Sequence, residues 1–252
     1  MRAILTGAAN GIGLATALAL AQTPGTRLIL VDNDEEALSS ACGEVAARGA
    51  QAHALVADVS CPESACAAAQ LADDRFGGLD ALFSNVGRSV RRPLAELDVQ
   101  EWDANMNLMV RATWLLAKAC HPALEKSRGS VVATASVSGV QPQPWLGTYS
   151  IAKAAVIMLV RQLALEWAAA GIRVNSVSPG ITKTLNMSRY FEQPGVADRY
   201  ESVIPWGRMA EPAEIAGVVA MLLSEKASYI TGENIIVDGG LSISTLLQLR
   251  DA

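Results

Sequence analysis

Histidine is nearly missing from this chain: His53 and His121 are the only two among 252 residues, and cysteine is limited to Cys42, Cys61, Cys66 and Cys120. None of them forms a Cys-x-x-Cys or His-Glu-x-x-His pattern, so no metal site is expected. Aromatic residues make up only 5% of the chain and charged residues 18%, against 51% hydrophobic. That balance excludes a disordered chain and supplies one large core. Basic residues are outnumbered, 20 Lys and Arg against 25 Asp and Glu, for a net charge of -5. With a pI near 5.1, the chain lacks the basic face of a nucleic-acid-binding protein, so no nucleic-acid partner is expected. It also lacks an uninterrupted apolar run of about 18 residues, so no membrane span is predicted. Its cysteines, scattered through Ala-rich stretches, read as reduced thiols and point to a cytoplasmic compartment. Arg2 before the Ala/Leu-rich run 14–21 mimics a signal peptide. Residues 1–6 read instead as a short strand, and the run that follows as the helix leaving a Gly-rich turn.

What is present is an alternation. Apolar, β-rich runs at 3–5, 27–31, 52–57, 81–83, 130–133, 172–177 and 234–237 are separated by helical periodicities at 13–21, 34–47, 62–76, 99–124, 149–170 and 212–223. Strands alternating with helices of this length imply parallel pairing through right-handed crossovers. The predicted fold is α/β, a doubly wound, mostly parallel seven-stranded sheet with helices on both faces, in one domain spanning 1–252. One stretch breaks the rhythm: 184–209, rich in Met, Tyr, Phe, Pro and Gly, reads as a mobile insertion over a substrate site.

Two patterns carry chemistry. The first strand runs into Thr6-Gly7-Ala8-Ala9-Asn10-Gly11-Ile12-Gly13. Glycines there permit a tight turn and a close backbone approach to a pyrophosphate at a helix N-terminus. Asp32, 19 residues after Gly13, closes the second strand where an acid accepts from ribose hydroxyls. The second pattern is Tyr149 and Lys153, which four-residue spacing places side by side on a helix. Taken alone, such a pair is a packed aromatic and a solvated amine. Taken with the glycine turn, an ammonium beside a phenol of ordinary pKa about 10 is expected to lower it toward working pH.

In these residues the chain resembles the short-chain dehydrogenase/reductase family almost end to end. Thr6, Gly7, Gly11 and Gly13 meet its T-G-x-x-x-G-x-G pattern, and Tyr149 and Lys153 its Y-x-x-x-K pair. Ser136, thirteen residues before the tyrosine, falls where the family carries its catalytic serine, with Ser138 as a rival. Asn107, in the Asn-Leu dipeptide rather than Asn105, falls on the catalytic asparagine. Asp58-Val59 matches an adenine-contacting pair, and Asn85-Val86-Gly87 the N-A-G element, though Ser84 stands where many relatives have asparagine. Pro179-Gly180-Ile181-Thr182-Lys183-Thr184 matches the element that binds the nicotinamide end. Asn85 and Asp58 have a second reading, as residues bonding backbone amides that frame the cleft.

The resemblance implies hydride transfer between a secondary alcohol or its ketone and a nicotinamide cofactor. Tyr149 would be acid/base, Ser136 would hold the substrate oxygen, Lys153 would bond the nicotinamide ribose, and Asn107 would hold a water leading to solvent. Gly7, Asn10, Gly11, Ile12, Gly13, Asp32, Asp58, Val59, Asn85, Gly87, Pro179, Gly180, Ile181 and Thr184 would bind the cofactor. Asp32 repels a 2′-phosphate, and Asn10 and Asn33 stand where Arg or Lys would welcome one, so NAD is expected over NADP. The alternatives are an NADPH-type carbonyl or 3-oxoacyl reductase and a non-catalytic NAD-binding protein. Substrate contacts are expected from Val137, Ser138, Gln141 and Trp145 and from Leu185, Met187, Tyr190, Phe191 and Trp206. Arg88, Arg91 and Arg92 read first as a solvated charge run, with a grip on an anionic group as the other reading. A homotetramer, or a dimer, is implied, with helices 99–124 and 149–170 pairing between subunits and the run 241–249 adding a contact.

Overall fold

The computed structural model describes residues 1–184 and 191–244. Their strands are β1 (Arg2–Thr6), β2 (Arg27–Asp32), β3 (Gln51–Val56), β4 (Ala81–Ser84), β5 (Ser130–Thr134), β6 (Arg173–Pro179) and β7 (Asn234–Val237). They form one sheet in the order β3-β2-β1-β4-β5-β6-β7, every neighbouring pair parallel. The doubly wound sheet predicted from the alternation is therefore what the chain forms. Between the strands run α1 (Gly11–Leu20), α2 (Glu35–Ala47), α3 (Pro62–Phe76), α4 (Val99–Met106), α5 (Ala112–Ser127) and α6 (Tyr149–Trp167). After β6 come α7 (Val196–Ser202) and α8 (Pro212–Leu223).

Side chains alternate across a strand, so each strand feeds both faces. Ile4 joins Leu82 and Val131 in a core against α3, α5 and α6, through Phe76, Leu116, Leu124, Val156 and Val160. Ala3 and Leu5 join Leu28, Leu30 and Phe83 in a second core against α1, α2 and α8, through Leu20, Leu38, Val45, Ile215 and Val219. Burying each such Leu, Ile or Phe contributes about 1.5–3 kcal/mol, which secures both layers of helix. Local chemistry sets the helix starts: Asp34 accepts from the Ala37 amide at 3.0 Å to begin α2, and Asp98 from the Glu101 amide at 2.7 Å to begin α4.

The helix predicted over 99–124 is interrupted. Asn107–Arg111 forms a π turn joining α4 to α5 and packs against α6, an inserted turn of the kind found at functional sites. No helix among the described residues is long and apolar enough to cross a membrane. The strand order reverses between β1 and β4, and ligands of such sheets bind in the crevice beyond the carboxyl ends at that point.

Candidate active site

The turn after β1 is built by glycine for two different reasons. Gly7 and Gly11 take left-handed conformations, with φ of 60° and 56°, which side chains with a Cβ disfavour. Gly13 is set by contact instead: a Cβ there would lie 1.9 Å from the Gly7 carbonyl oxygen, so α1 packs directly onto the turn. Asn10, at the helix start, makes no side-chain cap, and the first turn of α1 carries no acid. The leading amides are thus left to attract an anion. Asp32 braces this turn, accepting from the Ala9 amide at 3.0 Å and from the Asn33 amide at 2.9 Å.

A cleft of about 510 Å³ opens there and runs across the carboxyl edge of the sheet. Gly7, Asn10, Gly11, Ile12, Asp32, Asp58, Val59, Asn85, Gly87, Tyr149, Lys153 and Thr184 line it, together with Asn33, Asp34, Leu108, Arg88 and Thr134. Gly13 lies beneath the turn, while Pro179, Gly180 and Ile181 stand outside the lining. Gly180 is bound by a neighbouring strand end: a Cβ would fall 2.7 Å from the Asp238 Cα. Asp58 accepts from the Ser60 amide at 2.8 Å, closing a local turn.

At the far end Tyr149 begins α6, and the Ser136 side chain, two residues beyond β5, lies close enough to act on its phenol. Ser136 accepts from the Ser138 amide at 3.1 Å. The two serines therefore differ: Ser136 is the one whose side chain acts on the Tyr149 phenol, and Ser138 holds it through its backbone amide. Lys153 is buried to 2% exposure and donates to the Thr134 carbonyl at 2.6 Å, its Nζ 5.7 Å from the Tyr149 ring centroid. The Thr134 hydroxyl in turn donates to Asn85 Oδ1 at 2.8 Å, and Asn85 Nδ2 donates to the Gly7 carbonyl at 3.3 Å. One chain of hydrogen bonds thus links the lysine to the glycine turn. Asn85 has the framing role that was its second reading, while also lining the cleft.

The pKa expectation is corrected by this burial. Desolvation pushes the Tyr149 phenol up from its ordinary value of 10.0, and the Ser136 side chain opposes that rise. Lys153 is itself desolvated, which lowers its amine from 10.5 to about 8. The ammonium that was to lower the phenol is paired with a carbonyl, and burial outweighs it.

Asn107 opens the π turn and stands outside the cleft lining, although its neighbour Leu108 is part of it. Asn105 is buried, its amide donating to the Glu101 carbonyl at 2.9 Å, and so is engaged within α4. Among the substrate candidates, Gln141 donates to the Ser242 carbonyl at 2.5 Å, and Phe191 stacks edge-on with Tyr200 at 5.5 Å. Trp145 and Trp206 are exposed at 66% and 70%, and Trp145 holds a left-handed φ of 67°, a strained conformation for a bulky side chain. Val137 and Ser138 are buried. Leu185, Met187 and Tyr190 lie outside the described residues. Sequence reasoning missed Thr134, which meets both Lys153 and Asn85; a strand-end threonine carries no local signal of that task. No group of three metal-ligating side chains forms among the described residues.

A doubly wound parallel sheet, a glycine turn that a Cβ would fill, and a half-buried Tyr149 in one cleft with buried Lys153, near buried Ser136, define a dinucleotide-dependent oxidoreductase. The family model for enoyl-(acyl carrier protein) reductase matches residues 7–242. An A-factor type gamma-butyrolactone 1′-reductase (1S-forming) from Streptomyces virginiae is 36% identical over 245 residues, 96% of this chain and 95% of that protein. A 2-(S)-hydroxypropyl-CoM dehydrogenase 3 from Xanthobacter autotrophicus is 33% identical over 243 residues, 94% and 95% of the two chains. Among solved structures, levodione reductase superposes with a TM-score of 0.90 at 32% identity, covering 96% of this chain and 97% of its own. NAD+-bound xylitol dehydrogenase gives 0.89 at 32%, covering 94% and 97%. The chain belongs to the short-chain dehydrogenase/reductase family.

Proposed function

We propose that this protein is an NAD-dependent dehydrogenase that moves a hydride between a secondary alcohol, or its ketone, and the nicotinamide, with Tyr149 exchanging the proton on the substrate oxygen. The observation that carries the reading is that Tyr149 and Lys153 line the same cleft as the glycine turn, with the Ser136 side chain acting on the Tyr149 phenol. When bound, the cofactor supplies the hydride acceptor or donor. The turn at Gly7, Gly11 and Gly13 and the amides of α1 would hold its pyrophosphate, and Asp32 its adenosine ribose. Lys153 and Thr184 line the part of the cleft that would take the other end.

In oxidation Tyr149 takes the hydroxyl proton as the substrate loses its hydride; in reduction Tyr149 returns one. Ser136 orients the substrate oxygen toward the phenol. Lys153, anchored on Thr134, would bond the nicotinamide ribose, and Asn107 would hold a water between Lys153 and solvent. Asp32 and Asp34 line the cleft at the end of β2, where their charge would repel a 2′-phosphate, which supports NAD over NADP. The NAD+-bound relative fits that preference. NAD preference in turn favours alcohol oxidation as the physiological direction. The insertion 184–209, of which 185–190 lie outside the described residues, would cover the substrate, and the enzyme would work in the cytoplasm as a homotetramer.

The test is a fluorescence screen of NADH formation with secondary alcohols, sugar alcohols, cyclic diols and hydroxy acids, run with NAD and with NADP. Wild type should turn over with NAD well above NADP, and Tyr149→Phe should lose about a thousandfold or more in kcat while keeping its affinity for NADH. A Tyr149→Phe enzyme at the wild-type rate would overturn the assignment, as would a preference for NADP.

A further inference from the structure

The three arginines after β4 are alike in sequence and separate in space. Arg92 pairs with Glu101 at 2.8 Å, and its carbonyl accepts from the Gly147 amide at 3.0 Å. Arg91 reaches Tyr200 of α7 at 3.3 Å. Only Arg88 lines the cleft. It is exposed and has no hydrogen-bond or ion-pair partner among the described residues. The loop is therefore anchored at its far end, against the approach to α6 and against α7, while its near end is left facing the site. Gly87 sets that placement: a Cβ there would come within 3.0 Å of Lys153 Nζ, so Arg88 leaves the backbone beside the catalytic lysine.

Charge along the carboxyl edge is ordered by strand. Asp58 follows β3, Asp32 and Asp34 follow β2, the glycine turn and the amides of α1 follow β1, and Arg88 follows β4. Arg88 and Lys153 are the cations among the described lining residues, and Lys153 is committed to the Thr134 carbonyl. A dinucleotide laid with its ribose on Asp32 and its pyrophosphate on α1 has no further phosphate to offer beyond β1. An anion held by Arg88 would then not be the cofactor's.

Resting on the dehydrogenase reading, we infer that Arg88 is a substrate-binding residue that grips a carboxylate, making the substrate class hydroxy acids and their oxo acids. A guanidinium presents a planar fork that matches a carboxylate with two parallel hydrogen bonds. Held there, the acid places its carbonyl or hydroxyl carbon toward Tyr149 and Ser136, and its charge excludes neutral alcohols of the same shape from equal binding.

The experiment compares pyruvate, acetoacetate and levulinate, each beside its methyl ester, as substrates for reduction with NADH. A second readout is the affinity of β-hydroxybutyrate for the protein–NADH complex, read from NADH fluorescence in a mixture that cannot react. Wild type should prefer at least one acid over its ester, and Arg88→Gln should lower the acid-to-ester ratio of kcat/KM by about ten- to a hundredfold, with a matching loss in β-hydroxybutyrate affinity. Arg88→Lys should recover part of the ratio, since it restores the charge without the fork.

Equal use of acids and esters by wild type would overturn the proposal. So would a loss of NADH affinity in Arg88→Gln that accounts for the whole effect, because the arginine would then serve the cofactor. If neutral secondary alcohols are oxidised while no acid is used, the dehydrogenase reading stands and the role of Arg88 falls. If nothing is turned over although NADH binds, the dehydrogenase reading itself falls and takes this one with it.

Discussion

Lys153 shows how far a residue's surroundings can reverse its ordinary behaviour. A lysine on a helix normally extends its amine into water, but here it is buried beside Thr134 and its amine is lowered from 10.5 to about 8. Between those values the folded chain binds fewer protons than the unfolded chain, so this group makes stability rise with pH across that window. Below about pH 8 the protein carries a buried charge at a cost. Lys153→Met should abolish turnover yet stabilise the fold at pH 7 by about 2 kcal/mol, roughly 3 from relieving the amine less about 1 for the lost hydrogen bond. Denaturant melts at pH 7 and pH 10 check this, and the advantage of the variant should shrink at the higher pH. Tyr149 and Lys153 were legible from spacing alone; the direction of their pKa values was not, because burial is set by β5 and the loop after β4, whose Thr134 and Gly87 meet Lys153 from distant parts of the chain.

At the scale of the element, identical substitutions should act in opposite directions according to what the glycine meets. Gly13→Ala puts a Cβ 1.9 Å from the Gly7 carbonyl, so α1 must lift from the turn. We expect a loss of about 2–4 kcal/mol in stability, with weakened NADH binding. Gly43, exposed in α2, would meet nothing within 4 Å. Gly43→Ala should stabilise by about 0.5–1 kcal/mol through helix propensity and a less flexible unfolded chain. Urea titrations of the two variants decide both. The glycine pattern identified the turn, but it gave no way to tell a glycine needed for its φ from one needed for contact. The interruption at Asn107–Arg111 was equally hidden, since helical residues flank it on both sides and the run 99–124 reads as one helix.

Across the whole molecule, α5 and α6 carry exposed apolar side chains in Trp114, Ile151, Met158 and Leu165, the last at 77% exposure. Such residues on two long neighbouring helices fit the proposed pairing of subunits. Leu165→Glu should leave the isolated chain folded and break the assembly, and light scattering on a sizing column would show the fall in mass. A wild-type mass equal to one chain would refute the pairing. The order of strands and helices, the glycine turn and the Tyr149–Lys153 spacing were determined by the sequence alone, because each is written in local periodicity or in the backbone demands of neighbouring residues. Only the tertiary structure decided that Ser136 rather than Ser138 neighbours Tyr149, that Lys153 is anchored on Thr134, and that Arg88 faces the cleft while Arg91 and Arg92 do not. Those outcomes depend on segments tens of residues apart being packed across one sheet edge, where desolvation and contact are properties of the assembled fold rather than of any stretch of chain.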